Sequence, residues 1–191
     1  MRGMEYINMS EEAIIRHCSP TLAGLKTGNM FNCAYESREA MREAICAWNR
    51  KLRAKGIRVL PLRYKDGSAL IYMYRPSMLS KDMENKEACR ILAERGYDLA
   101  TCERRIVHLI ERLSVCPEFP HEIGLFLGYP PEDVCGFIEN RACGCKCTGC
   151  WKVYGDREKA EKTFSRYKKC TRIYLDQWEK GKSIERLTVT V

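Results

Sequence analysis

The sequence predicts a helix-dominated α+β fold, a single globular domain over 1–191 with one small mixed or antiparallel sheet. Three observations predict it. Apolar residues recur at spacings of three and four in several segments, the mark of helices with one face on a core. Two runs rich in β-branched and aromatic residues, Ile57 to Tyr64 and Ala69 to Arg75, flank a Lys65-Asp66-Gly67-Ser68 turn. A length of 191 residues suits one domain with a sizeable buried core.

The elements follow in order. Ser10 with Glu11 and Glu12 opens a short helix to about His17, the two acids favoured by the dipole in its first turn. Ser19-Pro20 is expected to restart helix as N-cap and first helical residue. Ser37 begins a stronger helix ending at Gly56, with Met41, Ala44, Ile45, Trp48 and Leu52 on one stripe. The hairpin over 57–75 comes next, its Asp-Gly supplying the positive φ a tight turn needs. Pro61 lacks an N–H donor, so its strand should be an edge strand or carry a bulge.

Helix resumes around Pro76–Leu79 and over Asp82–Arg95, closed by Gly96. Asp98 should cap another, broken by Pro117 and Pro120. Pro120 starts a short helix to Leu127, and Pro131 another to Glu139. A cysteine-rich loop leads to a short strand near 151–154. Asp156 caps the longest helix, ending near Gly181, with Ala160, Phe164, Tyr167, Thr171, Tyr174 and Trp178 along its seam. Leu187, Val189 and Val191 alternate like a last strand over 186–191.

Composition excludes several classes. No apolar run approaches the roughly 18 residues of a membrane span, and Met1 to Ser10 has no signal-peptide core, so a cytoplasmic protein without membrane partners is expected. The mean hydropathy of −0.41 and 45% hydrophobic content argue against disorder. Net charge is +8, compatible with an acidic protein or nucleic acid as partner. Nine of the basic residues fall between Glu36 and Lys65, against three acidic ones. Twelve cysteines without an export signal read as free thiols, packed as small core residues or used for metal or redox work.

Four places could carry chemistry. Cys18, placed just before a helix start at Ser19, would have its thiolate favoured by the dipole, with a histidine as base; a packed cysteine between two helices is the alternative. His121 and Glu122 open a helix at Phe119-Pro120-His121-Glu122-Ile123-Gly124, and could act as acid, base or ligand, or only cap the helix. Adjacent helical residues point about 100° apart, so Glu122 need not orient His121. Cys143, Cys145, Cys147 and Cys150 put four thiols in eight residues. They could bind a soft metal, zinc or iron, and the last two could form a redox disulfide; a plain cysteine-rich loop is the third reading. Finally, 122–138 looks like a helix-turn-helix. Its second helix starts Pro131-Glu132-Asp133, whose acids would repel phosphate, so DNA binding is disfavoured and helix packing preferred.

The stretch from Phe119-Pro120-His121-Glu122-Ile123-Gly124 to Phe137, and Lys146-Cys147-Thr148-Gly149-Cys150-Trp151-Lys152-Val153-Tyr154-Gly155, resemble an uncharacterised bacterial family, the domain-of-unknown-function family 3793. Cys18-Ser19-Pro20-Thr21-Leu22-Ala23-Gly24 and the 58–76 hairpin resemble it too, so the likeness covers nearly the whole chain. The resemblance implies no activity. It places Cys18, His121, Glu122, Cys147 and Trp151 on family-typical positions and leaves Cys143, Cys145 and Cys150 as extras. The leading expectation is thus a thiol-centred protein for redox, thiol transfer or metal handling (haem or iron among the cargoes), using Cys18 and His121 on a small-molecule or metal ligand. The rival is a non-catalytic module that binds an acidic protein or nucleic acid through basic helices.

Overall fold

The computed structural model describes residues 9–116 and 118–190. In chain order the elements are α1 (Glu11–Leu22), β1 (Gly28–Ala34), α2 (Arg38–Leu52), a 3-10 turn (Arg53–Lys55), β2 (Arg58–Lys65), β3 (Ser68–Tyr74), α3 (Pro76–Asp82), α4 (Lys86–Ala93), α5 (Cys102–Val115), α6 (Ile123–Phe126), α7 (Pro131–Glu139), β4 (Cys147–Thr148), β5 (Lys152–Val153), α8 (Arg157–Glu179) and α9 (Ile184–Leu187). The class is α+β, as expected. Among the described residues no helix is long and apolar enough to cross a membrane. The chain divides into two compact units, one of 1–76 with 170–191 and one of 77–169.

The first unit is built on an antiparallel sheet of order β1-β3-β2. Asp66 (φ 49°) and Gly67 (φ 73°) both take positive φ, which matches the twist of the β2–β3 hairpin. Both expectations for Pro61 hold: β2 is an edge strand, and its register shifts between Pro61 and Arg63. Strand β1 has no clear sequence signal, since Gly28, Asn29 and Asn32 are poor strand formers. It is recruited by β3, which needs a second neighbour, and by Phe31 and Cys33 entering the core. Ile14, Ile15 and Leu22 of α1, the apolar stripe of α2, and Ala69, Ile71 and Met73 of β3 complete that core. Asn49 ties α2 to the sheet, its amide donating to the Val59 carbonyl (2.7 Å) while its oxygen accepts from the Val59 N–H (2.9 Å). Arg75 is fully buried. Its guanidinium donates to the carbonyls of Thr21, Leu22, Lys55 and Val189 at 2.7–3.0 Å, and so satisfies orphan carbonyls at the end of α1.

Two expectations fail in this unit. Helix α1 runs through Pro20 without a restart. The Ser19 hydroxyl bonds back to the Ile15 carbonyl instead of capping a new helix, and the lost Pro20 donor comes near the C-terminal end, where it costs less than mid-helix. The tail over 186–190 is not a strand. Ile184–Leu187 form a helical turn, and the Val189 N–H then donates to the Leu22 carbonyl; Val191 lies outside the described residues.

The second unit holds α3 to α7, the β4–β5 hairpin and the first half of α8. The expected helix over 82–95 is split at Asn85, which caps α4 with its side chain. Thr101, not Asp98, caps α5; Asp98 instead accepts from the Ala100 N–H and pairs with Arg104 at 2.7 Å. Pro117, expected to break that helix, lies outside the described residues. Ile106, Leu109 and Leu113 of α5, Ile91 and Leu92 of α4, and Tyr97 and Phe126 are buried. A satellite cluster joins Val153, Ala160 and Phe164 with Cys147 and Trp151.

Candidate functional site

The second unit contains an apolar cavity of about 510 Å³ between α6, α7 and the β4–β5 hairpin. Its walls are Phe119, Ile123, Tyr129, Val134, Phe137 and Trp151, with His121, Thr148, Cys150 and Lys152 among the more polar lining. The aromatic wall is a continuous stack: Tyr129 lies on Trp151 (4.7 Å between centroids), and Trp151 meets Phe164 edge-on (4.5 Å). Burial pushes the Tyr129 phenol up to about 12, so it stays protonated and donates to the Cys150 carbonyl at 3.2 Å.

Asp133 locks the hairpin to α7. Its Oδ1 accepts from the N–H groups of Tyr154 and Gly155, and its Oδ2 from Trp151 Nε1, all at 2.7 Å. Glycine makes the close approach feasible. A Cβ on Gly149 would lie 2.2 Å from the Phe164 ring, and one on Gly136 2.5 Å from Tyr154. Of the acids of α7, Asp133 is turned inward to the hairpin, while Glu132 and Glu139 are exposed.

A second groove of about 1070 Å³ shares Phe119, His121 and Phe137 with this cavity and is lined by Arg95, Arg112, Arg141, Glu118 and Glu122. Glu122 is 2% exposed. Its carboxylate holds Arg112 Nε at 2.8 Å and Arg95 Nε at 3.6 Å, and accepts from the Tyr97 hydroxyl at 3.0 Å.

The predicted site residues fare differently. Cys18 is a correction. It lies inside α1 near the C-terminal end, where the dipole disfavours an anion, and not before a helix start. It is fully buried, and burial pushes its thiol up to about 12, so the nucleophile argument loses both its supports. It belongs to the first unit and His121 to the second. His121 is exposed, its ring against Phe137 at 4.8 Å, and lines both cavities. Glu122 turns inward as an ion-pair anchor and is no partner for His121. The other two histidines pack on rings, His17 on Phe31 and His108 on Tyr97.

The four cysteines of the zinc or iron expectation are not brought together. Among the described residues no three His, Cys, Asp or Glu side chains are placed to hold a metal. Cys147 packs against the cluster of Val153, Ala160 and Phe164, Cys145 lies 3.6 Å from the Thr148 hydroxyl, and Cys143 and Cys150 are exposed. Only Cys147 lies in a strand of the hairpin; Cys143 and Cys145 precede it and Cys150 sits in the turn, so no strand face gathers the four thiols. Sequence reasoning missed Asp133, Tyr129, Phe137, Arg95 and Arg112 as site residues, and had Trp151 only as a family-typical position.

The sequence profile of a family described as "Protein of unknown function (DUF3793)" matches residues 14–188. The chain belongs to this family. No curated protein and no solved structure matches the chain. The family match spans both units, so the pocket and the sheet both lie within the DUF3793 region.

Proposed function

We propose that the second unit is a binding module for an apolar small molecule of aromatic character, seated between Phe137 and Trp151 with His121 at its edge. The observation that carries this reading is the cavity of about 510 Å³, walled by six large apolar side chains and falling in the usual size range of ligand sites. Asp133 supports it, because its buried carboxylate accepts the Trp151 indole N–H and so holds Trp151 in place as a wall. The thiol beside this pocket is Cys150, not Cys18. Redox or thiol-transfer chemistry at this pocket would therefore fall to Cys150.

The test is fluorescence titration with N-phenyl-1-naphthylamine, a neutral probe that brightens in apolar sites. Saturable one-to-one binding is expected. Thr148→Trp, a change at an exposed rim position, should weaken it at least fivefold by filling the mouth. Absence of saturable binding, or equal binding by the variant, overturns the reading.

A second reading rests on charge. The first unit's sequence holds 17 Lys and Arg against 10 Asp and Glu, whereas the second holds 16 against 15. This concentration supports a polyanion, an acidic protein or a nucleic acid, as partner of the first unit. Affinity for a labelled single-stranded oligonucleotide should fall steeply between about 50 and 200 mM salt. Binding that ignores salt, or none, discards it.

A further inference from the structure

We infer that the ligand of the apolar pocket carries an oxyanion, a carboxylate, sulfonate or phosphate, which the adjoining arginine groove receives. The inference rests on the pocket reading above and names the chemistry of its ligand. Phe119, His121 and Phe137 line both cavities, so a body seated against Phe137 has one end at the groove. Three guanidinium groups line that groove against two carboxylates. One of the two, Glu122, is buried and already committed to Arg112, Arg95 and Tyr97.

Glu122 acts from behind. It lies on the Nε side of both arginines, 2.8 Å from Arg112 and 3.6 Å from Arg95, ion-pair contacts without a hydrogen bond to Nε, and leaves their outer edges unused. Arg95 Nη1 donates to the Ile91 carbonyl and Arg112 Nη1 faces the Arg95 carbonyl at 3.5 Å. Among the described residues the Nη2 groups of both find no protein acceptor. A planar guanidinium edge held in place is suited to two-point recognition of an oxyanion.

Arg141 completes the site. Arg141 (φ 48°) and Ala142 (φ 65°) are consecutive non-glycine residues in the left-handed region, which L side chains disfavour. That turn is fastened by Lys152 Nζ, which donates to the Ala142 carbonyl at 2.7 Å, and by the Ala142 N–H, which donates to the Phe137 carbonyl at 2.9 Å. The fold thus maintains an unfavourable backbone at the residue that brings the third cation to the groove. Arg141 makes no ion pair among the described residues, so its substitution does not orphan a buried charge.

A matched pair of probes tests the inference. N-phenyl-1-naphthylamine and 8-anilinonaphthalene-1-sulfonate share one ring system and differ by the sulfonate. The sulfonate is expected to bind about tenfold more tightly than the neutral probe at low salt. Arg141→Gln should remove at least threefold of that gain and leave the neutral probe unchanged. If the neutral probe binds and the sulfonate binds no better, or Arg141→Gln weakens both equally, the anion site is refuted and the pocket stands. If the sulfonate binds in an Arg141-dependent way and the neutral probe does not, the pocket reading falls and the anion site stands. Failure of both probes overturns both.

Discussion

Asp133→Asn is the most informative single substitution, because it keeps the shape of the side chain and changes only its hydrogen-bonding chemistry. The carboxylate accepts three N–H donors at 2.7 Å while only 4% exposed. Asparagine can keep its oxygen on the Tyr154 and Gly155 amides, but its NH2 then faces the indole N–H, donor against donor. Flipping the amide is worse, since the NH2 would face two backbone donors. Charge-assisted bonds contribute about 1.5–3 kcal/mol and neutral ones about 0.5–1.5, so two weakened bonds cost about 2 kcal/mol and a stranded indole donor about 1 more. The expected total is roughly 3 kcal/mol, or more than a hundredfold in the local opening equilibrium.

Amide hydrogen exchange at Tyr154 and Gly155 reads that opening directly, and both should quicken by about two orders of magnitude. The cost should shrink by about 1 kcal/mol in a Trp151→Phe background, where no indole donor remains to be stranded. Exchange that is unchanged in Asp133→Asn, or a cost that is identical in the two backgrounds, would show that Asp133 does not clamp the hairpin.

Two further outcomes follow from the same geometry. Gly136→Ala should lower the melting temperature by several degrees, although Ala is normally better than Gly inside a helix by about 1 kcal/mol. The added methyl would sit 2.5 Å from Tyr154 Cγ, and Tyr154 is pinned through its own N–H; a raised melting temperature refutes the close approach. In native protein at neutral pH, iodoacetamide followed by peptide mass spectrometry should modify Cys46, Cys143 and Cys150 well before Cys18. The Cys18 thiol is fully buried and protonated below about pH 12, so it should react only as fast as the first unit opens; rapid labelling there would contradict its placement in the core.

Elements with strong local chemistry were legible in the sequence. The Asp66-Gly67 hairpin, the Ser37-capped stripe of α2, Pro131 at the start of α7 and the long α8 each carry their own signal within a turn or two. Elements that exist through a partner were not. Strand β1 forms because β3 needs a second edge, and the tail after the Ile184–Leu187 turn joins no sheet because Val189 is bound by the Leu22 carbonyl and Arg75. Ser19-Pro20 misled for a related reason: the local pattern of a helix start is outweighed by Ile14, Ile15, Cys18 and Leu22, which lie on one face of a continuous helix and all enter the core.

The candidate site was half legible, and the division has one physical cause. Residue types that advertise reactivity, cysteine and histidine, drew attention to Cys18 and His121, but a type is not an environment. Burial took Cys18 into an aliphatic core, whereas Pro120 delivered two neighbouring residues to opposite fates: Glu122 inward to Arg112 and His121 outward to the pocket edge. The groups that shape the pocket act through contacts 18 to 22 residues distant, as Asp133 does with Trp151, Tyr154 and Gly155. No local pattern encodes such a contact. A carboxylate in the first turn of a helix is favoured by the dipole whether or not a hairpin later returns to it, so the position of Asp133 in α7 does not by itself announce the clamp.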